Sequence, residues 1–109
     1  MPIADADCPV RRAVGVLGSK WSLLIVRDLL EGPRRFNELL AGIEGISSKV
    51  LADRVRELEA ASVLRRTVHA DMPVRVVYEL TSLGLGVGPV VDALAAWGEE
   101  LGSTRASQR

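Results

Sequence analysis

The sequence contains few of the residues from which catalytic and metal sites are usually built. It has one cysteine, Cys8, and one histidine, His69, among 109 residues. A single cysteine excludes a disulfide within the chain and a zinc site made of cysteines. His69 has no second histidine or cysteine to join it, and we therefore expect no metal site.

The chain also lacks a surplus of either charge, a long apolar run and an abundance of aromatic residues. Lys and Arg number 14, Asp and Glu also number 14, and aromatic residues make up 4%. A zero net charge does not exclude nucleic acid as a partner, because the local distribution of charge matters more than the sum. No charged-then-apolar leader and no apolar run of about 18 residues occurs, and we expect a cytoplasmic protein with no membrane partner.

What the chain does have is apolar content arranged with helical periodicity. Apolar residues make up 48% of the sequence, which is too much for a disordered polymer. Pro9 suits the first position of a helix, and a second helix is expected from Lys20, with Ser19 as its cap. Apolar residues lie almost all round this second helix, which predicts a central position in the fold. Gly32-Pro33 ends it.

Two short helices joined by a turn follow. Asn37 is the expected cap of the third helix, and the glycines within residues 42–45 favour a turn. Ser47 or Ser48 is the expected cap of the fourth helix. Two short helices around a glycine-containing turn predict a helix-turn-helix.

The pattern then changes from helix to strand and back. Residues 63–70 and 74–80 are rich in Val, Thr and Tyr and are separated by Asp71-Met72-Pro73, which predicts an antiparallel hairpin. Residues 81–102 predict one final helix, whose first half is weakened by Gly84, Gly86 and Gly88. The expected fold is mainly α with a small β-hairpin (α+β), a single winged helix-turn-helix domain over residues 1–109. Its segments are the N-terminal helices (8–31), the helix-turn-helix (37–61), the wing hairpin (63–80) and the C-terminal helix (81–102).

Two opposite faces distinguish the fourth helix. A rotation of about 100° per residue places Leu51, Val55 and Leu58 on one side, which predicts that they belong to the core. The other side carries the candidate DNA contacts Lys49, Ala52, Asp53 and Arg56, with Arg54 on the flank. Taken alone, this pattern is also typical of an ordinary amphipathic helix whose charged face is solvated.

The setting of the helix favours DNA binding. The second helix of a helix-turn-helix enters the major groove, where Arg pairs with guanine O6 and N7. Ser47, Ser48 and Lys49 lie at its N-terminus, where the helix dipole and free amides favour phosphate. Asp53 repels phosphate, but it can accept from cytosine N4 or orient Arg56 or Arg54.

The hairpin is expected to add a second contact surface. Its basic residues are predicted to cluster around the turn; they are Arg65, Arg66, His69 and Arg75. For His69, exposure at a strand end is the alternative to contact with phosphate or the minor groove. This surface is only mildly basic, and we expect limited affinity from one copy and better binding from two joined copies.

The order of elements and several sequence blocks resemble the HxlR-type family of bacterial winged-helix transcriptional regulators. The blocks are "CPVRRAVGVLGSKWSLLIVRDLLEGPRRFNELL", "GISSKVLADRVRELE", "VYELTSLG" and "ALAAWGEE". The resemblance covers residues 8–102 and implies a homodimer, held by its first and last helices, on a pseudo-palindromic operator in double-stranded DNA. Ser62 stands where the family pattern usually has Gly, and the resemblance therefore does not imply the conformation of the turn into the hairpin. The extra glycines of "GLGVG" leave open how straight the last helix is.

Cys8 has two interpretations. A thiol at a helix N-terminus near positive charge, here Arg11 and Arg12, reacts readily. Some members of the family that this sequence resembles use a cysteine at this position to sense oxidants or electrophiles. The alternative is a partly buried small residue with no sensing role.

The sequence bears on three classes of function. A dimeric DNA-binding regulator accounts for the helix-turn-helix, the basic hairpin and the apolar terminal helices together. A winged helix that binds only protein is the alternative, although the cations of the fourth helix and hairpin argue against it. An enzyme is not expected, because the sequence has no nucleophile–base pair, phosphate loop or metal cluster, and no cofactor is implied. Trp21 is expected in the core and Trp97 at a subunit interface, and the alternative for both is the lining of an effector pocket in a ligand-responsive regulator.

Overall fold

The computed structural model describes residues 8–70 and 72–107 and has a winged-helix architecture. Helices surround a central helix, and a two-stranded antiparallel hairpin forms the wing. The elements are α1 (Pro9–Leu17), α2 (Lys20–Leu29), α3 (Phe36–Gly42), α4 (Ser48–Ala60), β1 (Leu64–His69), β2 (Arg75–Leu80), α5 (Ser82–Leu85) and α6 (Gly88–Ser107).

The starts of α2 and α4 follow from side-chain caps. The Ser19 hydroxyl accepts a hydrogen bond from the Trp21 amide over 3.1 Å, as expected. The Ser47 hydroxyl does the same for the Val50 amide over 3.1 Å, which makes Ser47, and not Ser48, the cap of α4. Each cap satisfies an amide that has no partner inside its own helix.

The core forms around α2, as its all-round apolar pattern predicts. Ile25 and Val26 are fully buried, and Trp21 packs against the same cluster, which confirms its predicted place. The other buried apolar residues come from α2, α3, α4, the hairpin and the turns between them; they are Leu29, Leu39, Ile43, Ile46, Leu51, Val55, Leu58, Val63, Leu64 and Leu80. The predicted core residues of α4 are therefore confirmed.

The third helix starts earlier than predicted. Its first residue is Phe36 and its cap is Arg35, and the prediction of Asn37 as the cap is wrong. The Glu38 carboxylate accepts a hydrogen bond from the Arg35 amide over 2.8 Å, which fixes the start of the helix at that point. Just before it, Arg34 pairs with Tyr78 of β2 as an isolated bridge, and the chain has to turn between this bridge and the helix.

The C-terminal segment is interrupted and does not form the single helix predicted for 81–102. Thr81 caps α5 by accepting from the Gly84 amide over 3.1 Å. The amides of Gly86 and Val87 then bond to carbonyl oxygens three residues earlier, at 3.1 and 3.0 Å, before α6 begins at Gly88. The glycines responsible for this break were visible in the sequence as a weakness of the helix. α6 then continues to Ser107, beyond the predicted end at residue 102.

The hairpin has the predicted two strands in a defined register. Arg66 lies opposite Tyr78, and His69 lies opposite Arg75 at the turn end. Asp71, the first residue of the predicted turn, lies outside the described residues. The predicted cluster of basic residues around the turn is not formed. Arg65 and Arg66 lie at the base of the hairpin. Because a strand rises about 3.3 Å per residue, His69 is roughly 13 Å beyond Arg65 and roughly 10 Å beyond Arg66.

Candidate DNA-binding surface

The exposed face of α4 lies opposite a buried face that anchors the helix to the core. Leu51 and Leu58 are fully buried and Val55 nearly so, which anchors the helix to the core along its length. On the opposite side the side chains of Lys49 and Arg56 are 85% and 74% exposed. A face of this kind can approach a groove without disturbing the core beneath it.

The N-terminal turn of α4 is open to solvent. Ser47, Ser48 and Lys49 are all exposed. The Ser47 hydroxyl already accepts from the Val50 amide, which leaves its O–H available as a donor. Ala52 is half-buried and adds no bulk between the turn and the rest of the face. This arrangement fits the predicted phosphate contact at the helix N-terminus.

Asp53 lies between the two cations of this face. Its Oδ2 accepts from Lys49 Nζ over 3.0 Å, and its Oδ1 lies 3.8 Å from Arg56 Nη1. The hydrogen bond from Lys49 and the charge of that lysine hold the pKa of the Asp53 carboxyl below its ordinary value. Asp53 therefore stays ionised at neutral pH and offsets part of the positive charge of the face.

Arg54 belongs to the flank, as expected from its angle on the helix. Its Nη1 bonds to Glu57 Oε2 over 2.8 Å, and its side chain is 30% exposed. Of the two arginines that Asp53 was predicted to orient, Arg56 is the one it approaches. Arg54 is occupied by a different acid.

The wing meets α4 through one face of the hairpin. A cleft of about 220 Å³ is lined by residues of α3, α4 and both strands, among them Ala52, Arg56, Arg66 and Tyr78. Arg66 is exposed beside Arg56, and the helix and the wing therefore present their cations to the same side.

The other basic residues of the hairpin point to its opposite face, because neighbouring residues of a strand alternate. Arg65 Nε bonds to Glu79 Oε1 across the strands over 2.9 Å. A second cleft, of about 460 Å³, holds His69 and Arg75 together with Arg34 and Arg35. The sequence showed Arg34 and Arg35 only as extra charge upstream, because their approach to the wing depends on the bridge between Arg34 and Tyr78.

Apolar side chains cover the side formed by the first and last helices. Exposed residues of α6 recur at helical spacing; they are Val90, Leu94, Trp97 and Leu101. A cleft of about 290 Å³ joins this stripe to Val10 and Val14 of α1, with Leu23 of α2 at its floor. The two terminal helices thus contribute to one continuous apolar surface.

Cys8 lies immediately before α1 and is half-buried. Its carbonyl oxygen accepts from the Arg12 amide over 3.0 Å, as is usual for the residue that precedes a helix. Within residues 8–70 and 72–107, no three His, Cys, Asp or Glu side chains come together as a metal site. In that same part of the chain, every helix is too short or too polar to span a bilayer.

Comparison with known proteins shows which family has this architecture. The model of the HxlR-like helix-turn-helix family matches residues 16–106. The chain is 38% identical over 99 residues to the transcriptional regulator YodB of Bacillus subtilis, which covers 90% of this chain and 88% of YodB. The structure of reduced YodB matches with a TM-score of 0.76 over 85% of this chain and 92% of that chain.

Two further solved structures agree. A protein of Porphyromonas gingivalis W83, described as a MarR-family transcriptional regulator, matches with a TM-score of 0.85 and 36% identity, over 92% of this chain and 98% of that chain. The redox regulator HypR in its oxidised form matches with a TM-score of 0.81 and 34% identity, over 85% of this chain and 96% of that chain. The chain therefore belongs to the HxlR-like helix-turn-helix family of transcriptional regulators, which is not a family of enzymes.

Proposed function

We propose that two copies of this chain bind a pseudo-palindromic operator, with α4 of each copy in the major groove of one half-site. The observation that carries the proposal is the placement of Lys49 and Arg56, both largely exposed on α4, with Arg56 beside Arg66 of the wing. Three cations on one side of a rigid helix and hairpin fit a helix-turn-helix docked on DNA.

The side chains divide into two roles in this proposal. Arg56 projects from the middle of the exposed face, where it can pair with guanine O6 and N7. Ser47, Ser48 and Lys49 at the N-terminal turn contact phosphates, and Arg66 contacts the backbone beside the groove. Ala52 permits close approach, and Arg54 contributes charge from the flank.

The second cleft extends the proposed contact to the wing. His69 and Arg75 at the turn end, with Arg34 and Arg35 beside them, supply donors for phosphates outside the major groove. Arg65 is held by Glu79, and its charge is partly offset there. These residues position the protein on the duplex and carry no sequence information of their own.

The apolar surface of α1 and α6 supports a homodimer. Trp97 is 60% exposed and Leu94 44% exposed, within a stripe that extends along α6. A continuous apolar surface of this kind is typical of a protein–protein interface. An interface between two identical surfaces has two-fold symmetry, which accounts for a pseudo-palindromic operator.

Purified protein should select its site from fragments of the source genome. The expected result is enrichment of a two-fold-symmetric sequence, with half-sites about one helical turn (roughly 34 Å) apart or a multiple of it. Arg56→Ala should lower the preference for this operator over random DNA, while Arg66→Ala should weaken binding to both by a similar factor. Equal losses on both DNAs from Arg56→Ala would remove Arg56 from its proposed base contact.

The alternative is a winged helix whose α4 face is covered by protein. Asp53 offsets part of the charge of that face, which is the observation in its favour. The salt dependence of DNA binding distinguishes the two proposals. Binding to phosphates releases counterions, and the affinity therefore falls steeply as the salt concentration rises. Weak, salt-insensitive binding to all DNA sequences alike would support the alternative.

A further inference from the structure

Asp53 is the acid nearest the N-terminus of α4, and two further acids, Glu57 and Glu59, are exposed nearer its C-terminus. Asp53 lies between Lys49 and Arg56 and is 33% exposed, so its oxygens can be reached from the side that we propose faces DNA. A carboxylate facing a duplex is repelled by phosphate and gains nothing from guanine O6 or thymine O4, since both are acceptors. Its presence on this face therefore costs binding free energy wherever the carboxylate meets only acceptors.

One class of base-pair edge reverses that cost. Cytosine N4 and adenine N6 are the amino groups that donate into the major groove. Adenine also presents its N7 acceptor beside that donor, and cytosine is therefore the usual partner of Asp or Glu. Lys49 holds Asp53 Oδ2 at 3.0 Å, while Oδ1 lies at the longer distance of 3.8 Å from Arg56. Oδ1 is therefore the oxygen that can turn to a base without breaking the hydrogen bond to Lys49.

The spacing of Asp53 and Arg56 fits neighbouring base pairs. Residues three apart on a helix have Cβ atoms about 5–6 Å apart, and base pairs are stacked roughly 3.4 Å apart. The guanidinium of Arg56 has five N–H donors, so it can bond to guanine while it remains near Asp53.

We propose that Asp53 is a specificity-determining residue that accepts a hydrogen bond from cytosine N4 in each half-site, beside the guanine bound by Arg56. The inference rests on the proposed docking of α4 in the major groove. At this position Asp53 rewards cytosine and penalises the bases whose groove edge offers only acceptors. It also lowers affinity for random DNA, because only a minority of sequences place cytosine N4 where the carboxylate can accept from it.

The chain offers a matched control in Glu57. This acid is also on α4 but pairs with Arg54 on the flank at 2.8 Å. Asp53→Ala and Glu57→Ala each remove one negative charge from the same helix and leave a good helix former. A general effect of charge should appear in both variants, and a base contact in only one.

The test uses the operator selected by the wild-type protein, with every base pair of a half-site replaced in turn. The wild type should prefer cytosine at one position by about tenfold. Asp53→Ala should reduce that preference to less than about threefold, leave the other positions unchanged and raise affinity for random DNA. Glu57→Ala should keep the cytosine preference. A thermal unfolding curve for each variant confirms that the same fold is compared.

The possible outcomes distinguish a failure of this inference from a failure of the proposed DNA-binding function. If the wild type selects an operator but Asp53→Ala changes no position, or changes one where cytosine is not preferred, the inference fails and the regulator proposal stands. An equal change in Glu57→Ala also overturns it. If the wild type selects no operator, both proposals fail together.

Discussion

The backbone amide of Val63 donates a hydrogen bond to the carbonyl oxygen of Leu58 over 2.9 Å, across the end of α4. Between them the Ser62 amide donates to the backbone carbonyl oxygen of Glu59 over 3.0 Å. Ser62 has the left-handed φ of 63°. Leu58 and Val63 are both buried and pack within the same core cluster. This is the helix ending usually made with glycine, made here with serine.

Replacing Ser62 with Gly should therefore stabilise the protein. A left-handed conformation costs a residue with a Cβ about 1–2 kcal/mol, and glycine avoids that cost but loses more backbone entropy on folding. The expected net gain in the free energy of unfolding is about 0.5–1 kcal/mol, measured by urea denaturation. Ala61→Gly is the control, because Ala61 has a φ of −84° and should lose stability when it becomes glycine. A loss in Ser62→Gly would contradict the assignment of strain to Ser62.

The region after the hairpin depends on a close approach at Gly84. This residue is buried, and a Cβ atom placed on it would collide with the backbone carbonyl oxygen of Val63. That oxygen accepts a hydrogen bond from the Thr81 amide at 3.0 Å, which holds it in place. Backbone cannot move aside as a flexible side chain can.

Gly84→Ala should consequently destabilise the fold, by about 2–3 kcal/mol. Gly15→Ala is the matched control, because Gly15 is in α1 and a Cβ there would meet nothing within 4 Å. In that helix interior alanine should instead add about 1 kcal/mol. Thermal unfolding of both variants gives the comparison, and equal effects of the same sign would show that helix propensity, and not the contact with Val63, governs Gly84.

Much of this architecture could be predicted because it depends on neighbours in the sequence. The caps Ser19 and Ser47 lie two and three residues from the amides they satisfy. The core side of α4 follows from helical periodicity alone. Features of this kind need no knowledge of the rest of the fold.

The features that the sequence did not predict depend on residues far apart. Arg34 pairs with Tyr78 across more than forty positions, and this bridge explains the approach of Arg34 and Arg35 to the wing. The opposite directions of Arg65 and Arg66 follow from strand alternation, but which of them faces α4 depends on the register with Tyr78.

The apolar surface of α1 and α6 leads to a prediction about assembly. Trp97→Glu places a charge in the proposed interface, where a buried Trp commonly contributes about 2 kcal/mol or more to binding. The dimer dissociation constant should rise roughly thirtyfold, as measured by sedimentation. Val68→Glu is the control, because Val68 is 51% exposed but lies on the wing. Loss of the dimer in both variants, or in neither, would exclude the terminal helices as its specific interface.

The pair of Lys49 and Asp53 has a defined dependence on pH. Because the pKa of the Asp53 carboxyl is lowered from its ordinary 3.8, the stabilising contribution is fully present above that pH. It is lost as pH falls through the lower, folded-state pKa, where the carboxylate takes up a proton. An NMR titration should give a midpoint below 3.8 for Asp53 in the wild type and a higher one in Lys49→Gln. An unchanged midpoint in that variant would show that Lys49 does not hold the carboxylate in solution.

A sensing role for Cys8, one of its two interpretations from the sequence, leads to a testable prediction. It is the only cysteine in the sequence, so a disulfide has to join it to Cys8 of another copy or to a small thiol. Structures are known for the relative YodB reduced and after treatment with diamide, and for HypR reduced and oxidised. If Cys8 senses oxidants, diamide takes one hydrogen from each of two thiols, and the new disulfide alters the start of α1, beside the proposed dimer surface.

We therefore expect diamide to change the operator affinity of the wild-type protein by about tenfold, in the range typical of coupling between two sites. A reducing agent should reverse the change, and Cys8→Ser should show none. Gel electrophoresis without reductant separates the two possible products, because a disulfide between two copies doubles the mass and a small thiol does not. An equal response to diamide in Cys8→Ser would exclude the thiol as the sensor, while the DNA-binding proposal, which does not involve Cys8, would be unaffected.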